Sequence, residues 1–237
     1  MKRSIRNRLW LLLVPSITSC VVTAPCSFEP KSRSVASWQL SSDIKTEQLE
    51  RNNILVDLST INSTFKFDIR YATENNFTGR VLYSEAKAYL QKDAAKALNE
   101  AQEMLSDLGL GLVIYDAYRP LSVQKEMWKI KPDKRYVADP KRGSNHNRGM
   151  AVDVGLYDLE TGAYLEMPTE FDAFNRKAWA NATVGVSEMG RYNRSILKQI
   201  MKRCGFKMNT TEWWHFDFKD CHQYPVLDIP FHEIRSE

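Results

Sequence analysis

The sequence predicts an α+β fold, with a central antiparallel or mixed sheet flanked by helices. The 237 residues are 43% apolar and 26% charged, which is ordinary for a globular domain with a sizeable core. Two long segments have an amphipathic helical composition, and several short ones are rich in β-branched and aromatic residues. Because strand and helix patterns do not alternate regularly along the chain, a doubly wound parallel sheet is not indicated.

The first 20 residues have the architecture of a secretory signal peptide. A basic start precedes an apolar run from Leu9 to about Ile17, which is too short to span a bilayer. The segment ends in "ITSC", which looks like a bacterial lipoprotein cleavage box. We therefore expect cleavage to leave Cys20 as a lipid-carrying N-terminus that anchors the chain to a membrane. The open alternative is ordinary cleavage nearby and a soluble periplasmic protein.

Charge and composition divide the rest of the chain. Outside residues 1–20 there are 29 basic and 29 acidic residues, so nothing in the charge indicates a nucleic-acid partner. Residues 21–50 are rich in Ser, Thr, Pro and Lys and are predicted to form a flexible tether. The domain is predicted over 51–237. Within it, Cys204 and Cys221 form either a disulfide or two free thiols, since sequence alone does not decide between them.

The sequence of the first half of the domain predicts five structural segments. They are a strand at 54–59, an alternating segment from 65 that becomes a polar loop ending at Gly79, a helix within 84–109, a strand at 112–118 and a helix at 120–130. The longer helix is predicted from its Ala, Leu, Lys and Glu content, and Gly109 is expected to end it. Ser122 is a candidate N-cap for the shorter one.

The second half predicts a strand at 149–157 that turns around Thr161 and Gly162 into a hairpin. An irregular stretch at 165–187 follows, and then a helix at 190–206 that ends at Gly205. The aromatic-rich segment 212–218 predicts a short final strand.

Two stretches suggest a metal site. The chain has four histidines, and "SNHNRGMAVDVGL" and "TEWWHFDF" hold one each, both near carboxylates. A catalytic zinc ion usually has three protein ligands and one open position, and His146, Asp153 and His215 would supply such a set. Asp153 lies on the predicted strand between apolar neighbours and faces away from them, so if covered it needs a metal ion or a partner. The alternative is a loop histidine and a solvent-facing aspartate.

Two further residues could act beside this site. Glu212 lies three positions before His215, and we expect it on the turn that enters the strand, from which both side chains could reach one metal ion. A glutamate there suits a general base. Arg119, in "YDAYRP", ends a predicted strand and could stabilise a developing oxyanion or hold a carboxylate. The alternatives are a rim glutamate and a surface arginine.

Taken together, these motifs resemble a known family. "SNHNRGMAVDVGL" resembles the SxHxxGxAxD zinc motif of the D-Ala-D-Ala metallopeptidase superfamily, and "EWWHF" resembles its second motif. "DIRYATENNFTGR", "YDAYRP" and "FDAF" look like segments of the VanX-type D-alanyl-D-alanine dipeptidases. The matches run in order from Asp68 to Phe218 and span most of the predicted domain. Asn145 departs from the pattern, because a small residue is expected there in the resistance enzymes.

The resemblance implies a role for each candidate residue. It implies one zinc ion per chain on the sheet, held by His146, Asp153 and His215. It implies Glu212 as catalytic base and Arg119 as stabiliser of the tetrahedral intermediate. It further suggests that Tyr71 and Asp172 recognise the amino end of the substrate and that Ser144 lines the cleft.

The resulting expectation is a zinc-dependent dipeptidase that cleaves D-Ala-D-Ala. The leader places it in the bacterial cell envelope, in the periplasm, where it would serve peptidoglycan turnover or dipeptide recovery. One alternative is a D,D- or L,D-carboxypeptidase acting on peptidoglycan stem peptides. The other is a non-catalytic lipoprotein that binds wall peptides.

Overall fold

The domain is built on a five-stranded mixed sheet. The computed structural model describes residues 55–234, so the predicted leader, the tether and Cys20 lie outside the described residues. The strands of this sheet are β2 (Lys66–Phe67), β4 (Leu110–Asp116), β5 (Ala151–Asp158), β6 (Phe206–Met208) and β7 (His215–Phe218). Their spatial order is β2-β4-β5-β7-β6, and only the β2–β4 pair is parallel. The predicted α+β class with a mixed sheet is confirmed.

A smaller two-stranded antiparallel sheet pairs β1 (Leu55–Asp57) with β3 (Tyr89–Gln91). The helix predicted within 84–109 spans Lys92–Ser106, and residues 89–91, which precede it, form this strand. The Ala- and Lys-rich composition around it favours helix locally, but pairing with β1 decides the conformation. The strand residues Tyr89 and Leu90 are buried, which offsets the loss of helical structure.

Within residues 55–234, three α-helices accompany the sheets: α1 (Lys92–Ser106), α2 (Leu121–Ile130) and α3 (Glu188–Arg203). Helix α1 buries Ala94, Leu98, Ala101 and Leu105, which recur at the three- and four-residue spacing of one helical face. This face packs against β4 and α3, so the helices flank the sheet as predicted. Among the described residues no helix combines the length and the apolar character needed to cross a bilayer.

The helix ends differ from the predictions in two places. Ser122 does not cap α2. Pro120 occupies the N-cap, and the Ser122 N–H instead donates to Asp228 Oδ1 at 2.7 Å. Helix α3 begins earlier than predicted because the Ser187 side chain accepts from the Gly190 N–H at 2.9 Å. It ends before Gly205, and Phe206 starts β6, where it packs on Phe218.

The other predicted segments are found with small changes. Strand β5 turns back after Asp158, and a bridge between Tyr157 and Tyr164 confirms the predicted hairpin. The final strand is confirmed but starts at His215 rather than at 212. Both Cys204 and Cys221 are free thiols, which decides between the two alternatives left open by the sequence.

Candidate active site

The sheet register brings two of the predicted metal ligands together. Asp153 on β5 is the register partner of His215 on β7. The apolar neighbours Val152 and Val154 are fully buried on the opposite face, as the alternation predicts. The third predicted ligand, His146, lies on a single 3-10 turn, His146–Arg148, just before β5. Gly149 closes that turn at φ 66°, a conformation that favours glycine.

The three ligand atoms form a compact triangle. Asp153 Oδ1 lies 3.0 Å from His215 Nδ1 and 3.3 Å from His146 Nε2, and the two nitrogens are 3.0 Å apart. Zinc bonds of 2.0–2.1 Å in tetrahedral geometry place ligand atoms about 3.3 Å apart. The spacing in the structure therefore matches one face of such a tetrahedron.

The outer nitrogen of each histidine has an acceptor as its partner. His146 Nδ1 lies 2.7 Å from the carbonyl oxygen of Ala117, and His215 Nε2 lies 3.0 Å from Asp217 Oδ1. Because a carbonyl and an ionised carboxylate only accept, both outer nitrogens carry the proton. The inner nitrogens therefore turn lone pairs toward Asp153 Oδ1, and three electron-rich atoms meet at one point.

The charges around the three inner atoms of His146, Asp153 and His215 favour a bound cation. Burial opposes a charged imidazole at His215, but the carboxylates of Asp217 and Asp153 raise the pKa of His215 well above its ordinary value. Burial likewise opposes ionisation of Asp153, but the two histidines hold its pKa below the ordinary value. The inner nitrogen of His215 thus takes up a proton or a metal ion readily. By spacing, protonation and charge, the three residues fit zinc.

Glu212 lies on the turn before β7, as the sequence predicts, and not on the strand itself. Its carboxylate is buried, and its Oε2 accepts a hydrogen bond from Asn209 Nδ2 at 3.1 Å. Burial raises the pKa of Glu212 to about 8. A carboxylate with a pKa in this range can both take and return a proton near neutral pH.

Arg119 is a buried side chain rather than a surface arginine. Its Nε and Nη2 donate to Asp116 Oδ2 at 3.0 and 2.5 Å, and its Nη1 donates to Gln124 Oε1 at 2.7 Å. These bonds use three of the five N–H donors of a guanidinium. The backbone N–H of Arg119 donates to the carbonyl oxygen of His146 at 3.1 Å, which ties the segment after β4 to the turn that carries His146.

Tyr71 and Asp172 form a pair. The Tyr71 hydroxyl donates to the Asp172 carboxylate at 3.1 Å to Oδ2 and 3.3 Å to Oδ1. Burial, and then the charge of Asp153, raise the pKa of Asp172 to about 7. A cationic partner would hold this carboxylate ionised. Asp172 also has a left-handed backbone, with φ 59°, which is uncommon for a residue other than glycine.

One cavity of about 460 Å³ unites the site. All eight residues singled out from the sequence line it, namely Tyr71, Arg119, Ser144, His146, Asp153, Asp172, Glu212 and His215. Ser144 is half-buried at its wall, where its Oγ accepts from the His146 N–H at 3.2 Å. Residues that lie far apart in the sequence thus line one cavity.

Comparison with known proteins places the chain in a family. Residues 51–235 match the peptidase M15 family described as D-ala-D-ala dipeptidase. The chain belongs to this family. It is 40% identical over 177 residues to the D-alanyl-D-alanine dipeptidase of Escherichia coli K12, which covers 75% of this chain and 91% of that protein. The M15 family consists of metallopeptidases, so the chain is an enzyme and a hydrolase.

Two further M15 dipeptidases support the assignment. The D-alanyl-D-alanine dipeptidase of Enterococcus faecalis V583 is 32% identical over 186 residues, which is 70% of this chain and 88% of that protein. The protein of the same name from Streptomyces coelicolor is 34% identical over 192 residues, which is 71% of this chain and 93% of that protein. In each case the similarity spans nearly the whole relative.

Sequence reasoning missed the partners that hold the predicted site residues in place. Asp116, fully buried, binds Arg119 and the hydroxyl of Tyr83, and its only signal was its place in "YDAYRP". Asp217 accepts from His215, and its signal was the two-residue spacing that puts both on one strand face. Gln124, on α2, had no signal in the sequence.

Proposed function

We propose that the protein hydrolyses the dipeptide D-alanyl-D-alanine with one zinc ion held by His146, Asp153 and His215. The observation that carries the proposal is the convergence of three ligand atoms at mutual distances of 3.0–3.3 Å in a cavity that also contains Glu212. The dipeptide is the substrate named for the three M15 relatives, each matched over most of its length.

A zinc ion at this point would polarise the scissile carbonyl and lower the pKa of a water molecule. Glu212 takes a proton from the attacking water and returns one to the nitrogen of the leaving D-alanine. Its raised pKa, about 8, suits both steps. The remaining N–H donors of Arg119 stabilise the oxyanion of the tetrahedral intermediate, and Asp116 and Gln124 hold that guanidinium in place.

Tyr71 and Asp172 are assigned to the free amino end of the dipeptide. The substrate ammonium group supplies the cation that the buried Asp172 carboxylate favours, and the Tyr71 hydroxyl orients that carboxylate. Ser144 contributes a hydroxyl to the wall of the cavity. Recognition of a free ammonium group selects a dipeptide over the interior of a longer chain.

The experiment that tests this function is a panel of D,D- and L,D-dipeptides together with a pentapeptide stem, each assayed with and without a chelator. We expect D-Ala-D-Ala to be the preferred substrate and its hydrolysis to stop with the chelator. Preference for the stem would instead assign a D,D- or L,D-carboxypeptidase. If the zinc-loaded protein hydrolysed none of these peptides, the remaining function would be binding of wall peptides without catalysis.

We place the enzyme in the periplasm, anchored in the cell envelope through lipid on Cys20. The support is the basic and apolar leader that ends in "ITSC". An exported dipeptidase would recover dipeptide released from peptidoglycan and spare the precursor pool of the cytoplasm. The test is metabolic labelling with a radioactive fatty acid. We expect the wild-type chain to be labelled and Cys20→Ala to remain unlabelled, and equal labelling of both would refute the anchor.

A further inference from the structure

The outer nitrogen of His215 is fixed by a residue of its own strand. Asp217 lies two positions further along β7, on the same face, and its Oδ1 is 3.0 Å from His215 Nε2. This contact places the ring proton on Nε2 and leaves Nδ1 for the ligand cluster. The orientation of the imidazole therefore depends on where the Asp217 carboxylate is held.

Asn145 holds that carboxylate. Its Nδ2 donates to the same oxygen, Asp217 Oδ1, at 2.8 Å. The backbone of Asn145 is itself fixed, since its carbonyl oxygen accepts from the N–H of Met150 at 3.0 Å. Asn145 directly precedes His146. One amide group thus links the turn that carries the first ligand to the strand that carries the third.

We propose that Asn145 and Asp217 are positioning residues for the metal centre. Together they fix the tautomer and ring orientation of His215 and hold the His146 turn at a constant distance from β7. This inference rests on the proposed zinc site. It also gives a structural role to Asn145, the one position of the first motif that departs from the pattern expected in the resistance enzymes.

Substitution of Asn145 or Asp217 should weaken zinc binding and leave the fold intact. A partner that orients a metal-bound histidine typically contributes about 10–100-fold to metal affinity. Asp217→Ala removes the acceptor, so the imidazole is free to rotate and to exchange its proton between the two nitrogens. Asp217→Asn keeps an oxygen that can accept from His215, so it should restore most of the affinity.

A matched control is available on the same sheet. Asp158 Oδ1, at the far end of β5, also accepts two hydrogen bonds, from the Thr161 N–H at 2.7 Å and the Thr161 hydroxyl at 2.8 Å. Asp158 does not line the active-site cavity. Asp158→Ala therefore removes a comparable pair of bonds without touching the metal ligands.

The test measures zinc dissociation constants of the purified full chain by competition with a chromophoric chelator, with thermal unfolding of the zinc-free proteins in parallel. We expect Asp217→Ala to raise the dissociation constant about 10–100-fold. Asn145→Ala should raise the dissociation constant by a smaller factor. The double variant should bind zinc no more weakly than Asp217→Ala alone, because the two residues act through one contact. Asp158→Ala should lower the melting temperature but leave zinc affinity unchanged.

Two results overturn the inference. One is zinc affinity in Asp217→Ala within twofold of the wild type. The other is an equal loss of affinity in Asp158→Ala, which would show that any destabilising change weakens the site. A wild-type chain that binds no zinc has a different meaning, since it rejects the proposed function itself.

Discussion

Asp153 and His215 are register partners on adjacent antiparallel strands, and their side chains meet with 3.0 Å between Oδ1 and Nδ1. Two of the three predicted metal ligands are thus placed by the hydrogen-bonded ladder of the sheet. The third, His146, joins them through a glycine-closed turn. Sites built on strands hold their geometry better than sites built on loops alone.

The first prediction concerns the base. Glu212→Gln keeps the shape of the side chain but cannot take a proton, so we expect kcat for D-Ala-D-Ala to fall by about 10²–10⁴. Zinc content should stay at one ion per chain. The measurements are steady-state kinetics and elemental analysis, with the exposed Glu160→Gln as control. Near-normal turnover in Glu212→Gln would remove Glu212 from the mechanism.

The second prediction concerns recognition of the amino terminus. Asp172→Asn removes the charge that pairs with the substrate ammonium group, a contact worth about 1.5–3 kcal/mol, so kcat/KM should fall roughly 10–100-fold. A competitive inhibitor with a hydroxyl in place of the ammonium group should bind wild type and Asp172→Asn about equally. If binding of the substrate and of the inhibitor were weakened equally, Asp172 would shape the pocket without recognising the charge of the ammonium group.

The third prediction concerns metal removal. A chelator should abolish activity, and added zinc should restore it. Because zinc binds the folded chain, zinc at 100 times its dissociation constant should stabilise the fold by about 2.7 kcal/mol. The melting temperature should therefore fall on chelation and recover with zinc. If activity persisted in fully zinc-depleted protein, hydrolysis would not depend on the metal.

The fourth prediction concerns Gly149. This residue has φ +66°, and a Cβ there would lie 2.6 Å from Leu55 Cδ2 and 3.3 Å from the backbone nitrogen of Gln91. Gly149→Ala should therefore destabilise the fold by about 1–3 kcal/mol through overpacking, in addition to backbone strain. Gly79 has φ +63° with nothing within 4 Å of a Cβ, so Gly79→Ala measures the strain alone. Urea unfolding should show a clearly larger loss for Gly149→Ala, and equal losses would exclude the packing effect.

The sequence predicted the fold where local signals and tertiary packing agree. The helical spacing within α1 expresses burial of one face and is found, and the predicted strand around Asp153 is found as β5, which is buried on both faces. Strand β3 was not predicted because Tyr89 and Leu90 pair with β1, a contact between distant segments that composition does not encode. Strand β6 was missed for the same reason, since it forms only by pairing with β7.

The predicted site residues come from compact motifs with specific chemistry, and all eight line one cavity. The residues that hold these side chains in place were harder to predict from the sequence. Asp116 and Gln124 act by holding Arg119, and a buried aspartate or glutamine has no distinctive spacing. The contact of Asn145 with Asp217 joins residues 72 positions apart, and it forms only in the folded chain.

Zinc binding by His146, Asp153 and His215 is tested most directly by X-ray absorption at the zinc edge, combined with zinc stoichiometry, on the wild type and on Asp153→Ala. We expect one zinc ion per wild-type chain, with nitrogen and oxygen ligands at about 2.0–2.1 Å and two imidazoles, and loss of the ion in Asp153→Ala. Full zinc occupancy with an unchanged ligand shell in Asp153→Ala would show that Asp153 is not a ligand.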